Sequence, residues 1–328
     1  MSMWKKGYGF AVVLWLGLVL VMAGGCEELE EGAEEEAVPE VPLEVPEEGE
    51  APTIDVYFHE EEEVQEMDFE EYISGVVAGE MENDWPEEAL AAQAIIARSF
   101  TLQQIDEVEG VPDRDAHAST DEEEFQAYNE DNVNEAVQNA VENTRGQVVV
   151  NDDKYIQGWF HAFAGPRTAL ADEALDHEDE NPPYIHIVDS PQGVEEVIPD
   201  EEATWSAEFS SSEVQSAVEE VNGENPGNLD DAEIAEEGPS GRATLIKLGE
   251  AEVSAPALRM ALDSTEMRST YLEEISSEEG GLKMSGEGFG HGVGMCQWGA
   301  KTLALDGSNP EDIVNYYYDQ VEVVKVWE

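Results

Sequence analysis

The chain has 328 residues and a hydrophobic content of 41%, enough for one large domain or two smaller ones with real cores. Its 14 Lys and Arg against 78 Asp and Glu give a formal net charge of −64. That surplus repels phosphates and anionic headgroups, which excludes nucleic acid as a partner and leaves only the N-terminus for contact with a membrane.

The acid runs through the whole length, even along helical stretches such as EEALAAQAI and NEDNVNEAVQNAVENT. At low salt this like charge strains a fold. At molar salt the Debye length falls to about 3 Å and most of the repulsion is screened. The composition therefore reads as an adaptation to very salty surroundings. Calcium binding is the rival reading, but no D-x-[DN]-x-[DN]-G loop is present.

In chain order, Lys5-Lys6 precede an uncharged run from Gly7 to Gly25, and Cys26 follows directly. This is an export signal. Met22-Ala23-Gly24-Gly25-Cys26 resembles a bacterial lipobox, with Cys26 the lipidated residue of a mature lipoprotein. An uncleaved anchor is the alternative, since 19 residues are marginal for a membrane span. Either way residues 1–26 place the rest at the outer face of the cell membrane. Beyond Cys26 only Cys296 remains, so the mature domain forms no internal disulfide. Residues 27–52, rich in Glu and Pro, read as a disordered, self-repelling stalk.

Order begins near Thr53 and continues to residue 328. IDVYFH alternates like a strand, and EEYISGVVAGEM reads as a short helix. Pro86 suits the first position of a second helix, capped by Asp84 or Trp85 and running to about Gln104. A third helix covers roughly Asn132 to Asn143. GQVVV and KYIQGWFHAF form a strand pair around Asn151-Asp152-Asp153. Segment 200–250 reads as loop-rich and acidic before a strand in GRATLIKLG. A short helix in APALRMALDS follows, then a Gly-rich loop, two helices and a strand in VEVVKV. Helices and strands interleave without βαβ regularity. The expected class is α+β: a single large mixed domain, with two lobes around a cleft as the variant.

Three stretches carry chemistry. In Gly79-Glu80-Met81-Glu82-Asn83-Asp84-Trp85-Pro86, the glycine permits close backbone approach, and Met81 and Trp85 supply an apolar wall. A carboxyl held there loses hydration, and its pKa rises toward neutrality, as a general acid for a glycosidic oxygen requires. A buried capping carboxylate explains the same spacing. In the stretch from Gly286 to Ala300, glycines alternate around Phe289, His291 and Val293, and Gln297 and Trp298 are residue types that contact sugars. His291 and Cys296 have the wrong spacing for a zinc pair. In Trp159–Thr168, His161 and Arg167 are candidates to line a cleft, and core packing accounts for the aromatics. Cations are scarce, so Arg98 and Arg268, in patterned regions, stand out; a structural ion pair is the plain alternative for each.

GVVAGEMENDWPEEALAAQAIIARSF and GFGHGVGMCQWGAKTLALDG…IVNYYY resemble the two end signatures of the stage II sporulation protein D / LytB (amidase enhancer) family. SGRA, LRMAL, RSTYL and PPYIHIVDS fall between them in the family's order, so the likeness covers about residues 53–327. The resemblance implies a membrane-tethered lytic transglycosylase of peptidoglycan glycan strands. It would act in the septal wall during engulfment and prefer strands stripped of stem peptides by a partner amidase. It implies Glu80 as catalytic acid and Arg98 as a residue associated with activity. His161, His291, Gln297 and Trp298 complete the expected substrate-binding set. Some members bind zinc through His-x-Cys…Cys-Gln; here Ser119 and Phe125 fill both cysteine places, so neither zinc nor any other cofactor is expected. A Ser-x-Ser-Gly-Gly turn of relatives is replaced by Ala162-Phe163-Ala164-Gly165-Pro166. Two other readings stay open: a non-catalytic glycan-binding amidase enhancer, and a structural wall or coat lipoprotein.

Overall fold

A computed structural model describes residues 38–46, 49–177, 180–278 and 281–328. The export signal, Cys26 and residues 27–37 lie outside the described residues. Residues 38–46 run along the domain, where Tyr155 Oη donates to Glu40 O and Val41 and Leu43 pack on the core.

Strands β1 (Thr53–Phe58) and β2 (Glu63–Asp68) pair antiparallel. Asp68 then caps helix α1 (Phe69–Glu80) by accepting from Glu70 N and Glu71 N. Helix α2 (Glu87–Val108) follows. Pro86 is itself the N-cap of α2, its carbonyl accepting from Ala89 N and Leu90 N, and neither Asp84 nor Trp85 caps the helix by its side chain. At 22 residues, α2 is about 33 Å long. Its alanines are small enough to let α1 and later helices pack on several sides, which makes it the axis of the main core. It runs beyond Gln104 and stops where Glu109 and Gly110 take left-handed conformations.

The chain next forms β3 (Ala118–Ser119), parallel to β1, and α3 (Glu135–Asn143), capped by Asn134. Strand β4 (Gln147–Asn151) turns into β5 (Lys154–Tyr155) through Asp152 and Asp153, both at positive φ, the conformation a two-residue hairpin turn requires. β6 (Phe160–His161) and the short helices α4 (Ala171–Ala174), α5 (Val194–Val197) and α6 (Asp200–Ala203) complete this part.

Residues 204–287 build a second core. It contains β7 (Thr204–Phe209), α7 (Ser211–Asn222), β8 (Ala232–Glu237), β9 (Ala243–Leu248), β10 (Ala251–Ser254), α8 (Ala255–Ala261), β11 (Leu272–Glu278) and β12 (Gly281–Glu287). Two three-stranded sheets, β10-β9-β8 and β11-β12-β7, pack with α7 and α8 around Trp205, Phe209, Val218, Ile246, Leu258 and Met284. This corrects the expectation of loop through 200–250. β7 buries Trp205, Ala207 and Phe209 at alternate positions, and a Ser210/Glu213 capping box starts α7.

The chain returns to the main core through β13 (Met295–Cys296), parallel to β6, followed by α9 (Gln297–Leu305) and α10 (Pro310–Tyr317). β14 (Glu322–Lys325) pairs with β4. The fold is α+β, with two cores joined through the Gly-rich loop. Arg242, fully buried in the second, donates to Ala164 O at 2.6 Å and Arg167 O at 2.9 Å in the first. A Cβ on Gly292 would collide with that guanidinium, so the glycine is required by the close approach.

Candidate active site

Glu80 is the last residue of α1. Two glycines one turn apart on that helix, Gly75 and Gly79, leave bare backbone against residues 127–129. A Cβ at Gly75 would fall inside the Tyr128 ring, and one at Gly79 would stand 2.7 Å from the Ala127 carbonyl carbon. The gap lets Asn129 N donate to Gly75 O at 2.9 Å and Ala127 N donate to Glu80 Oε1 at 2.8 Å. Tyr128 stacks on Tyr72, ring centroids 5.9 Å apart, and fixes the segment. From the opposite side Gln297 Nε2 donates to the Glu80 carbonyl oxygen at 3.1 Å. The acid is thus held at its carboxyl by one loop and at its backbone by α9.

Met81 and Trp85 are buried beside it. Burial pushes the Glu80 carboxyl up to about 7; the Ala127 N–H works against the shift, and the charge of Glu122 adds to it. Near pH 7 the group then exists in both protonation states, as a residue that first gives and then takes a proton requires. A cavity of about 390 Å³ opens next to it, lined by His59, Gly79, Thr120, Glu122, Ala127 and Asn129. Gly79→Ala is expected to force the 127–128 backbone away and cost about 1–3 kcal/mol, measured by denaturant unfolding.

The other expected site residues separate into two groups. Gln297 and Trp298 lie at the site. Gln297 Nε2 donates to the Glu80 carbonyl and to Gln93 Oε1 (3.4 Å), so it positions the acid. Trp298 is half-buried and packs on Trp85, centroids 4.6 Å apart and planes inclined by 52°.

Arg98 requires a correction. It is fully buried and forms a forked ion pair with Glu70, at 2.7 Å from Nη2 to Oε2, and its remaining donors meet Val141 O and Thr144 Oγ1. No donor is left for substrate, and none touches Glu80. His161 and His291 meet edge to face at 5.5 Å, and each serves the Gly-rich loop, while the buried His161 Nε2 has no hydrogen-bond partner among the described residues. His161 Nδ1 lies 3.1 Å from Val293 O; His291 Nδ1 accepts from Val293 N, and its other nitrogen meets the Phe160 carbonyl. Burial pushes both imidazoles down, so both are neutral pins of the loop. Arg268 turns to the Glu201 carbonyl and lies over the Phe289 ring at 5.1 Å, while Arg167 pairs with Asp189.

The segment from His117 to Tyr128, where the resemblance would place a zinc-binding stretch, offers no thiolate. Ser119 donates to Glu124, and Phe125 packs edge-on against Phe100 at 5.3 Å. Among the described residues no group of three or more His, Cys, Asp and Glu side chains could hold a metal ion. The one described thiol, Cys296, is buried, caps α9, and is pushed up to about 11 by burial. One contributor was missed from sequence: Ala127 acts through its backbone N–H, for which a side chain gives no signal.

A family model described as stage II sporulation protein matches residues 57–151, which include Glu80 and its loop clamp. A domain of unknown function (DUF8618) matches residues 150–294. An uncharacterized protein of Brachyspira hyodysenteriae is 30% identical over 264 residues, 80% of this chain and 68% of that one. Stage II sporulation protein D of Bacillus subtilis is 28% identical over 294 residues, 83% of this chain and 78% of its own. The amidase enhancer of the same organism is 25% identical over 287 residues, which span 75% of this chain and 39% of the enhancer. The chain belongs to the stage II sporulation protein D / amidase enhancer family.

Proposed function

We propose that the protein is a lytic transglycosylase of peptidoglycan glycan strands, tethered at the outer face of the cell membrane and acting in remodelling of the septal wall during sporulation. The observation that carries the reading is Glu80: a carboxyl raised to about 7, clamped by Ala127 N–H and set beside a cavity. Protonated Glu80 donates to the oxygen joining N-acetylmuramic acid to N-acetylglucosamine, and the bond from the anomeric carbon to that oxygen breaks. The muramyl acetamido oxygen stabilises the positive charge from within the substrate, so no second protein carboxylate is needed as nucleophile. Glu80, now anionic, takes the proton of the muramyl 6-hydroxyl as that oxygen bonds to the anomeric carbon. A 1,6-anhydro ring forms, Glu80 is protonated again and no water is consumed.

The likeness to an amidase enhancer supports a second reading, in which the same surface binds glycan without cutting it. Digestion of peptide-free strands by the full-length chain in mild detergent at molar salt separates the two, with products weighed by mass spectrometry. Expected are fragments with 1,6-anhydro-muramyl ends. Fragments heavier by one water would make the protein a hydrolase. Intact strands bound to folded protein would overturn the enzyme and leave the enhancer.

A further inference from the structure

The turn that leads into the Ala127 clamp carries three consecutive glutamates, Glu122, Glu123 and Glu124, in different surroundings. Its backbone is well fixed. Ser119 Oγ accepts from Asp121 N at 3.1 Å, Asp121 Oδ1 from Glu123 N at 3.0 Å, and Asp121 O from Glu124 N at 3.0 Å and Phe125 N at 2.9 Å. Phe125 closes the turn on Phe100. Glu124 is neutralised by Arg114, whose Nε lies 3.0 Å from its Oε1, and it also accepts from Ser119 Oγ at 3.1 Å. Glu122 is exposed, and no hydrogen bond or ion pair to its carboxylate is found among the described residues.

Glu122 lines the same cavity as Gly79 and Ala127, the residue before the acid and the residue that clamps it. The other titratable groups on that wall are His59 from the end of β1, Asp121 and Glu123 from the turn, and Tyr128 from the clamp. His59 is tied to Thr120 Oγ1 by its backbone N at 3.1 Å and its Nδ1 at 2.8 Å. Burial pushes Tyr128 up to about 12 and also pushes up Tyr72, on α1, so both phenols stay neutral near pH 7. On this wall it is the Glu122 charge that acts on Glu80. A negative charge disfavours a second one nearby, and a buried partner feels it with little screening. The effect serves both halves of the cycle's proton traffic. It keeps a proton on Glu80 before the bond breaks, and afterwards it makes anionic Glu80 a stronger base toward the 6-hydroxyl.

We infer that Glu122 is a positioning residue for the acid: its unpaired carboxylate, set by a fixed turn on the cavity wall beside Gly79 and Ala127, holds the proton on Glu80. The inference rests on the glycan-strand reading above. Glu122 acts through Glu80 and not on the sugar, so it governs the pH range of cleavage and leaves affinity alone.

The test compares the full-length protein with Glu122→Gln, Glu122→Asp and Glu252→Gln, the last removing one exposed carboxylate from β10 of the second core. Cleavage of peptide-free strands is followed against pH at molar salt. Glu122→Gln is expected to move the decline at high pH down by about half a unit, the scale of one charge acting on a buried group across a hydrated gap, with KM unchanged. Glu122→Asp should keep most of the wild-type profile, and Glu252→Gln all of it. A second readout needs no catalysis. Folded Glu80 holds its proton up to about pH 7 and the unfolded chain releases it near 4.5, so across that range the wild type loses stability relative to Glu80→Gln. With Glu122→Gln present, the upper edge of the range should drop by the same half unit. An unmoved profile and range, an equal shift from Glu252→Gln, or a raised KM at an unmoved profile overturns the role of Glu122. A range that moves while folded wild type cuts no strand overturns the glycan reading alone.

Discussion

Glu80→Gln is expected to lower cleavage of glycan strands by about 10²–10⁴-fold, the usual contribution of a positioned acid, and at the same time to make the protein more stable. The substitution keeps the oxygen that accepts from Ala127 N and nearly the same shape, so the clamp survives. What it removes is an ionisable group in an apolar site. In the unfolded chain Glu80 releases its proton near 4.5, and in the folded protein near 7. Between those values the folded state holds the extra proton. Stability therefore falls as pH rises through that window, and the loss is complete above pH 7. Glutamine escapes that loss. Chemical denaturation at pH 8 should show the variant more stable by about 2–3 kcal/mol, and the gain should vanish below pH 4.5. Because Glu80 acts first in its protonated form, wild-type cleavage should decline as pH rises beyond about 7. A variant without activity and without the pH-dependent gain would mean that Glu80 is ionised in the folded protein and is not the acid.

Arg98→Met is expected to cost about 3–5 kcal/mol, because it strands the Glu70 carboxylate in the core. That carboxylate also accepts from Gly146 N at 3.0 Å and from Trp327 Nε1 at 2.8 Å. One ion pair therefore ties the start of α1, the middle of α2, the turn before β4 and the C-terminal segment. Removing both charges, in Arg98→Met with Glu70→Gln, should recover most of the loss. Urea unfolding at molar salt measures both, and the buried pair should be little screened, unlike the chain's exposed pairs. Cleavage per folded molecule, and its KM, should stay unchanged in Arg98→Met. A raised KM with unaltered stability would return Arg98 to the substrate.

Legibility in the sequence followed burial. IDVYFH, the helices on either side of Glu80 and the C-terminal helices could be read because their inward positions are apolar. β2, with the sequence EVQEMD, was not legible; as an exposed edge strand it buries almost nothing, and the chain's acid fills its outer face. β8, AEIAEE, hides in 200–250 for the same reason. A surplus of Glu in a very acidic protein thus erases the polar and apolar contrast that marks a half-exposed strand. At the site, Gly79 and the apolar wall pointed to Glu80. Its two holders did not show, because Ala127 uses a backbone N–H and Gln297 binds a backbone oxygen. The scarcity of arginine did single out Arg98, but a buried ion pair produces that signal as readily as a ligand does.

The second core has its entrance and exit side by side, since Thr204 at the start of β7 pairs with Glu287 at the end of β12. A segment of this kind is a cassette. The main core meets it as two neighbouring chain ends, so its length and content can change while the helices that hold Glu80 keep their places. Glu80, its clamp and α2 all lie before the cassette, and Gln297 and Trp298 lie after it. Chemistry and cassette are therefore free to diverge separately, within the limit set by Arg242, which anchors the cassette to Ala164 and Arg167 beside the Gly-rich loop.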